Sequence, residues 1–256
     1  MNYEIEIVTL SRQGGRSYNE DAFGHWNDDQ HVVCVVADGA GGHGGGDVAA
    51  QVVRASVLRG FAERPGLSVE RLRGILERAN LDVVSRQAEG GVLAEMRSTV
   101  VMAAIDLQQH RLALAHCGDS RAYLLRGGLV HTRTVDHSLV QQMVAGGMLD
   151  EEGARTHPQR NMLLSALGAL DPPPELTISP ALSLEAGDVL LLCSDGLWEP
   201  LGDAGLCETL AAAHDASQWV EQLDLQVRSR AKPGHDNYTA LVLWLREDQD
   251  TTRLLA

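Results

Sequence analysis

Three apolar runs in this chain end on an aspartate: "VVCVVAD" at Asp38, "RLALAHCGD" at Asp119 and "DVLLLCSD" at Asp195. Their length and apolar, often β-branched content mark them as strands, so the fold has to deliver three carboxylates from strand ends. A fourth carboxylate, Asp236 in "PGHDNYTALVLWL", stands at the beginning of a strand. In an all-parallel sheet it would lie at the opposite edge; between antiparallel neighbours, starts and ends share an edge and all four can meet. Any one of them alone reads as a turn residue. As a set they read as a cluster, and clustered carboxylates cannot all be ionised near neutral pH without cations among them. Oxygen ligands without His or Cys select hard ions, Mg²⁺ or Mn²⁺.

Antiparallel pairing is supported elsewhere along the chain. "RAYLLRGGLVHTRT" is two strand-like runs separated by Gly127 and Gly128, a hairpin pattern. "EIEIVTL", "STVVMAAID", "LTISPAL" and "YTALVLWL" add further strands. Helical periodicity runs over Val48–Phe61 and Val69–Val84, and a third helical region is expected from about Leu206 to Ser229. Strands in series with few intervening helices suggest α+β and not alternating βαβ units. With 256 residues, one domain is expected over 1–246, with a flap of short helix and loop at about 138–174 and a tail at 247–256. A net charge of −14 disfavours a groove that tracks nucleic-acid phosphates. The N-terminus reads as a strand and not a signal peptide, and no apolar run reaches membrane-spanning length. Cys34, Cys117, Cys193 and Cys207 follow no disulfide or metal spacing, so reduced thiols in a cytoplasm are expected.

Six glycines occupy the eight positions 39–46, directly after Asp38. A phosphate-binding P-loop needs a lysine there, and the only lysine of the chain is Lys232. A kinase fails for the same reason. A loose dinucleotide pattern is present, but a glycine-rich run satisfies almost any glycine motif. No G-x-S-x-G elbow, H-E-x-x-H helix or cysteine with an arginine six positions on is present, so no covalent nucleophile stands out.

"RSYNEDAF", "VVADGAGGHGGG", "LAHCGDSRAYLLR", "LLLCSDGLWE" and "GHDNYTALVL", in this order, resemble the bacterial branch of the metal-dependent serine/threonine protein phosphatases, the type 2C class. The likeness covers Tyr3 to Arg246, the flap segment included. It implies a four-layer αββα sandwich of two antiparallel sheets flanked by helices, and hydrolysis of phosphoserine and phosphothreonine by water activated at a dinuclear Mn²⁺ or Mg²⁺ centre. Carried over, Asp38 bridges the two ions and the Gly39 carbonyl contacts one. Asp195 and Asp236 complete the second ion's shell, Glu20 and Asp21 hold metal-bound waters, and Asp119 is the ligand of a third, weaker ion taken up beside Asp195. Arg16 matches the family's phosphate-binding arginine, where a planar fork suits a phosphoryl group. Eukaryotic relatives carry a histidine directly after Asp-Gly; Ala40 stands there instead. His43 is the candidate general acid among the side chains, with water at the metal centre the preferred proton source. A catalytically weak pseudophosphatase serving as a binding module is the alternative, and the intact Asp38, Asp195 and Asp236 argue against it. A phosphatase dedicated to an anti-sigma-factor antagonist is another. The resemblance further implies phosphoprotein substrates, a cognate Ser/Thr kinase and a monomer, and the compact chain is similar to members that accompany type VI secretion kinases.

Overall fold

The computed structural model describes residues 3–40 and 44–247. β1 (Tyr3–Arg12), β2 (Asp21–Asn27) and β3 (His31–Ala40) lead into α1 (Gly46–Glu63) and α2 (Val69–Gln87). Next come β4 (Arg97–Ser98), β5 (Val100–Asp106), β6 (Arg111–Cys117), β7 (Arg121–Arg126) and β8 (Leu129–Arg133). Two short helices, α3 (Leu139–Ala145) and α4 (Glu151–Thr156), precede β9 (Thr177–Ile178), β10 (Leu182–Ser183) and β11 (Val189–Cys193). The series closes with α5 (Asp195–Ala211), α6 (Ala216–Arg230) and β12 (Tyr238–Glu247).

The described strand pairs are antiparallel and form two sheets, one in the order β1, β12, β11, β7, β8 and the other β10, β6, β5, β3, β2. Each apolar run is unbroken because both of its faces are covered. In β3, Val32, Cys34 and Val36 meet the facing sheet, while Val33, Val35 and Ala37 pack under α1 and α2. In β11, Leu190 and Leu192 point inward, and Val189, Leu191 and Cys193 pack under α5 and α6. The result is the expected α+β sandwich, helices outside two sheets. The β7–β8 hairpin turns at Gly127 and Gly128, with φ of 59° and 80°, the left-handed pair that a two-residue turn requires.

Several elements differ from the sequence reading. β2 was not anticipated: its face against α1 includes Gly24, where a Cβ would crowd Leu58, and its buried start at Asp21 and Ala22 gives way to half-buried and exposed residues, so no apolar run marks it. "LTISPAL" is two short strands, β9 and β10, either side of Pro180, which has no N–H to offer a ladder. The third helical region is two helices, and the first begins at Asp195 with a break at Gly202 (φ 63°) behind Pro200. β3 runs two residues past Asp38, pairing Gly39 and Ala40 with β4. The expected tail lies outside the described residues beyond Glu247.

Candidate active site

The antiparallel arrangement puts the candidate site carboxylates at one edge. Asp21 opens β2 directly opposite Asp38 near the end of β3. In the other sheet Asp195 follows β11, and Asp236 precedes β12, the antiparallel neighbour of β11. Asp119 sits in the turn that carries the chain from β6 in one sheet to β7 in the other. Asp38, Gly39, Glu20, Asp119, Asp195, Asp236 and Arg16 line one cavity of about 300 Å³. Asp21 lies just behind them, its Oδ2 accepting from Ser194 Oγ at 2.7 Å.

The glycines give the loop its shape. A Cβ on Gly39 would collide with the backbone of Gly46, and a Cβ on Gly46 would collide with Glu20 Oε1. The ends of the loop therefore touch backbone to backbone, with the Glu20 carboxylate against them. Gly44 and Gly45 hold φ of 103° and 98° at the entry to α1.

Crowding of carboxylates away from water shapes their acidity. Asp38 and Asp195 are driven well above the usual carboxylate range, first by loss of solvation and then by the neighbouring negative charges. Desolvation likewise pushes Asp21 to about 6, against hydrogen bonds from Thr239 and Ser194, and Asp119 to about 7. Glu20 is raised by the same cause, with Asp47 and Asp236 adding to it. Among the described side chains, Glu20 Oε1, Asp21 Oδ1 and Asp195 Oδ1 are buried oxygens without a hydrogen-bond partner. Such atoms are costly unless a cation or a donor meets them. Among the described residues, no three acidic, His or Cys side chains close on a single point as a finished ligand set. Small hard ions such as Mg²⁺ keep several of their waters and need few direct carboxylate ligands. The donor set fits Mn²⁺ or Mg²⁺.

Arg16 lies at the rim, half exposed, and its Nη2 donates to Asp236 Oδ2. The expected phosphate fork thus contacts an expected metal ligand, which no sequence spacing indicated. Asn237 organises this corner: its Nδ2 donates to Gln13 O at 2.7 Å and Tyr18 O at 3.0 Å, and its Oδ1 accepts from Glu20 N at 2.9 Å. Thr99 Oγ1 accepts from Asp38 N at 3.0 Å and is bonded to Ser120 Oγ at 2.7 Å. Asn237, Thr99 and Ser194 are positioning residues that the sequence reading passed over. Ser194 and Asn237 directly flank Asp195 and Asp236, but nothing in their residue types marks a role, and Thr99 is remote in sequence from every site aspartate. From the segment between α4 and β9, Asn161 and Leu163 reach the cavity wall. His43 lies outside the described residues.

Residues 11–232 match the family model described as Protein phosphatase 2C. The chain is 36% identical over 210 residues to the serine/threonine protein phosphatase PstP of Mycobacterium tuberculosis, a match that covers 82% of this chain and 40% of PstP. It therefore spans about two-fifths of that relative's length. To the serine/threonine phosphatase stp of Listeria innocua it is 32% identical over 234 residues, 89% of this chain and 90% of stp. Among solved structures, the catalytic domain of PstP in complex with two manganese ions matches with a TM-score of 0.78 and 30% identity, over 95% of this chain and 99% of that one. PppA, described as a key regulatory component of T6SS in Pseudomonas aeruginosa, matches with a TM-score of 0.75 and 30% identity, over 95% and 99% of the two chains.

Proposed function

The chain belongs to the protein phosphatase 2C family, the metal-dependent serine/threonine protein phosphatases, and from that premise we propose that it hydrolyses phosphoserine and phosphothreonine on proteins, opposing a bacterial Ser/Thr kinase. The observation that supports this most is the meeting of Asp38, Asp195 and Asp236, from two sheets, on one cavity with partnerless buried oxygens beside it. In this reading Asp38, the Gly39 carbonyl, Asp195 and Asp236 hold two divalent cations, Glu20 and Asp21 support their water shell, and Asp119 serves a third ion. Such ions, when bound, activate water and offset charge on the attacking and leaving oxygens of an in-line displacement. Water forms the new bond to phosphorus, the bond to the serine or threonine oxygen breaks, and that oxygen takes up a proton. No side chain becomes phosphorylated. The same reading takes residues 1–246 as one catalytic domain acting as a monomer in the cytoplasm. Among the described residues no helix is long and apolar enough to cross a membrane. The likeness to PppA supports a place beside type VI secretion. The test is dephosphorylation of phosphothreonine and phosphotyrosine peptides with Mn²⁺ and with chelator; phosphothreonine turnover that needs Mn²⁺ is expected, and turnover undiminished by chelator overturns it.

Arg16 orients the phosphoryl group from the rim. Its planar fork can leave Asp236 for two phosphoryl oxygens as substrate enters. Arg16→Ala is expected to raise KM about tenfold or more, the worth of a charged hydrogen bond, with a smaller fall in kcat. Arg16→Lys keeps the charge but loses the fork and recovers only part of the loss. A kcat loss with unchanged KM would instead give Arg16 a role confined to the transition state.

The leaving alkoxide needs a proton, and Ala40 at the exposed end of β3 cannot supply one. His43→Ala is expected to cost less than about tenfold on both a phosphoserine peptide and an aryl phosphate, below the roughly 10² to 10⁴ of a general acid. A large loss restricted to the phosphoserine peptide, whose leaving group needs the proton, would identify His43 as the acid.

A further inference from the structure

A second cleft, of about 550 Å³, opens beside the acidic cavity and shares Arg16, Asn161, Asp195 and Asp236 with it. Its outer walls are basic, although the chain carries a net charge of −14. Arg155 and Arg160 line it from the flap, Arg230 and Lys232 from the end of α6 and the loop after it. These charges are not equivalent. Arg155 forks onto Glu152, Arg160 reaches Glu199 at 3.2 Å, and Arg16 is held by Asp236, so each is already neutralised. Arg230 meets only uncharged acceptors: Pro200 O at 3.0 Å, Leu201 O at 3.5 Å and Gln226 Oε1 at 3.5 Å. Among the described residues, Arg230 and Lys232 have no ion-pair partner.

The plain explanation for Arg230 is the helix dipole, which favours cations in the last turn, where Arg228 also stands. That does not extend to Lys232, which lies beyond the helix, exposed on the cleft wall, and is the only lysine among 256 residues. An acidic segment is repelled by most of this surface, and local positive charge can offset that repulsion where the segment must approach. A cleft that runs straight into the reaction cavity is where residues beside a phosphorylated side chain have to lie.

We propose that this cleft takes acidic residues flanking the phosphorylated residue, with Lys232 and Arg230 selecting them, so that the preferred substrates are phosphoserine or phosphothreonine in acidic sequence. This rests on the phosphatase reading above. The test compares, with Mn²⁺, phosphothreonine peptides flanked by aspartate, alanine or lysine, alongside p-nitrophenyl phosphate, which has no flanks. kcat/KM is expected to favour the aspartate peptide over the alanine one by about fivefold or more, as for one exposed charge pair at contact, and to lose that preference in high salt. Lys232→Glu should bring the ratio to one or below and Lys232→Arg should keep it, with p-nitrophenyl phosphate turnover unchanged in both. Independently of turnover, an unphosphorylated aspartate-rich peptide titrated into ¹⁵N-labelled protein should shift the amide signals of Arg230, Lys232 and Gly234. Equal kcat/KM for aspartate and alanine flanks with p-nitrophenyl phosphate hydrolysed normally overturns the acidic preference alone. No Mn²⁺-dependent hydrolysis of any of them overturns the phosphatase reading, and the preference with it.

Discussion

Asp38→Ala is expected to lower kcat/KM by about 10³-fold or more on both a phosphothreonine peptide and an aryl phosphate, since the charge stabilisation of a metal centre is worth several kcal/mol. Asp38 stands opposite Asp21 in the β2–β3 register and feels Asp195, Asp119 and Asp236 as well. Charge from both sheets bears on it, and in the proposed reading it serves both ions, so its removal disturbs both. Asp195→Ala and Asp236→Ala should fall in the same range for the narrower reason that each removes one ligand and supplies none. The Asp236 variant also frees the Arg16 guanidinium, so its KM need not rise in step with its loss of kcat. Calorimetric titration with Mn²⁺ separates the causes: weaker binding in Asp38→Ala assigns the loss to the metal centre. Activity within tenfold of the parent, with Mn²⁺ binding retained, would remove Asp38 from the centre of the reaction.

What was legible in the sequence followed from how strongly one face of the chain is constrained. Asp38, Asp119 and Asp195 stood out as a set because each closes a run that is apolar on both faces. Asp236 needed the further inference that the strands are antiparallel, and the β11–β12 register bears that inference out. Ser194, Thr99 and Asn237 were invisible for the opposite reason: a single small polar residue beside a strand carries no periodic signal. Their roles arise only from contacts across the fold, Ser194 to Asp21 over 173 positions and Asn237 to Gln13 over 224. The glycine loop was half legible. Its composition announced close backbone approach, but the particular collision that forbids a side chain at Gly39 is with Gly46, and that distance exists only once α1 has docked. α5 escaped periodicity because Pro200 and Gly202 break it and because its first turn belongs to the site, Ser194 turning its hydroxyl to Asp21 and not to the helix it precedes.

The buried carboxylates of the metal-free protein should contribute less stability as pH rises, and Mn²⁺ should restore what is lost. Burial and mutual repulsion raise Asp21 from 3.8 to about 6 and Asp119 from 3.8 to about 7, with Asp38, Asp195 and Glu20 moving in the same direction. A carboxyl whose folded-state pKa lies above its unfolded value keeps its proton in the folded chain after the unfolded chain has released it. Its stabilising share is complete below about pH 4 and is lost as pH climbs through the folded value. The window is therefore about pH 4 to 7. Other groups of the chain lose stability in acid, so the informative quantity is the difference between melting curves with and without Mn²⁺. Cations compete with protons for the same oxygens, so that difference should be near zero at pH 4 and grow toward pH 7.5. With Mn²⁺ at about a thousand times its dissociation constant, the gain is about 4 kcal/mol, or roughly 10 °C in Tm for a chain of this size. Asp38→Asn removes one repelling charge and one ligand together. It should raise the Tm of the metal-free protein at neutral pH and shrink the Mn²⁺ increment. A Mn²⁺ increment of the same size at pH 4 and pH 7.5 would mean that the cation binds elsewhere, and that these carboxylates do not form its site.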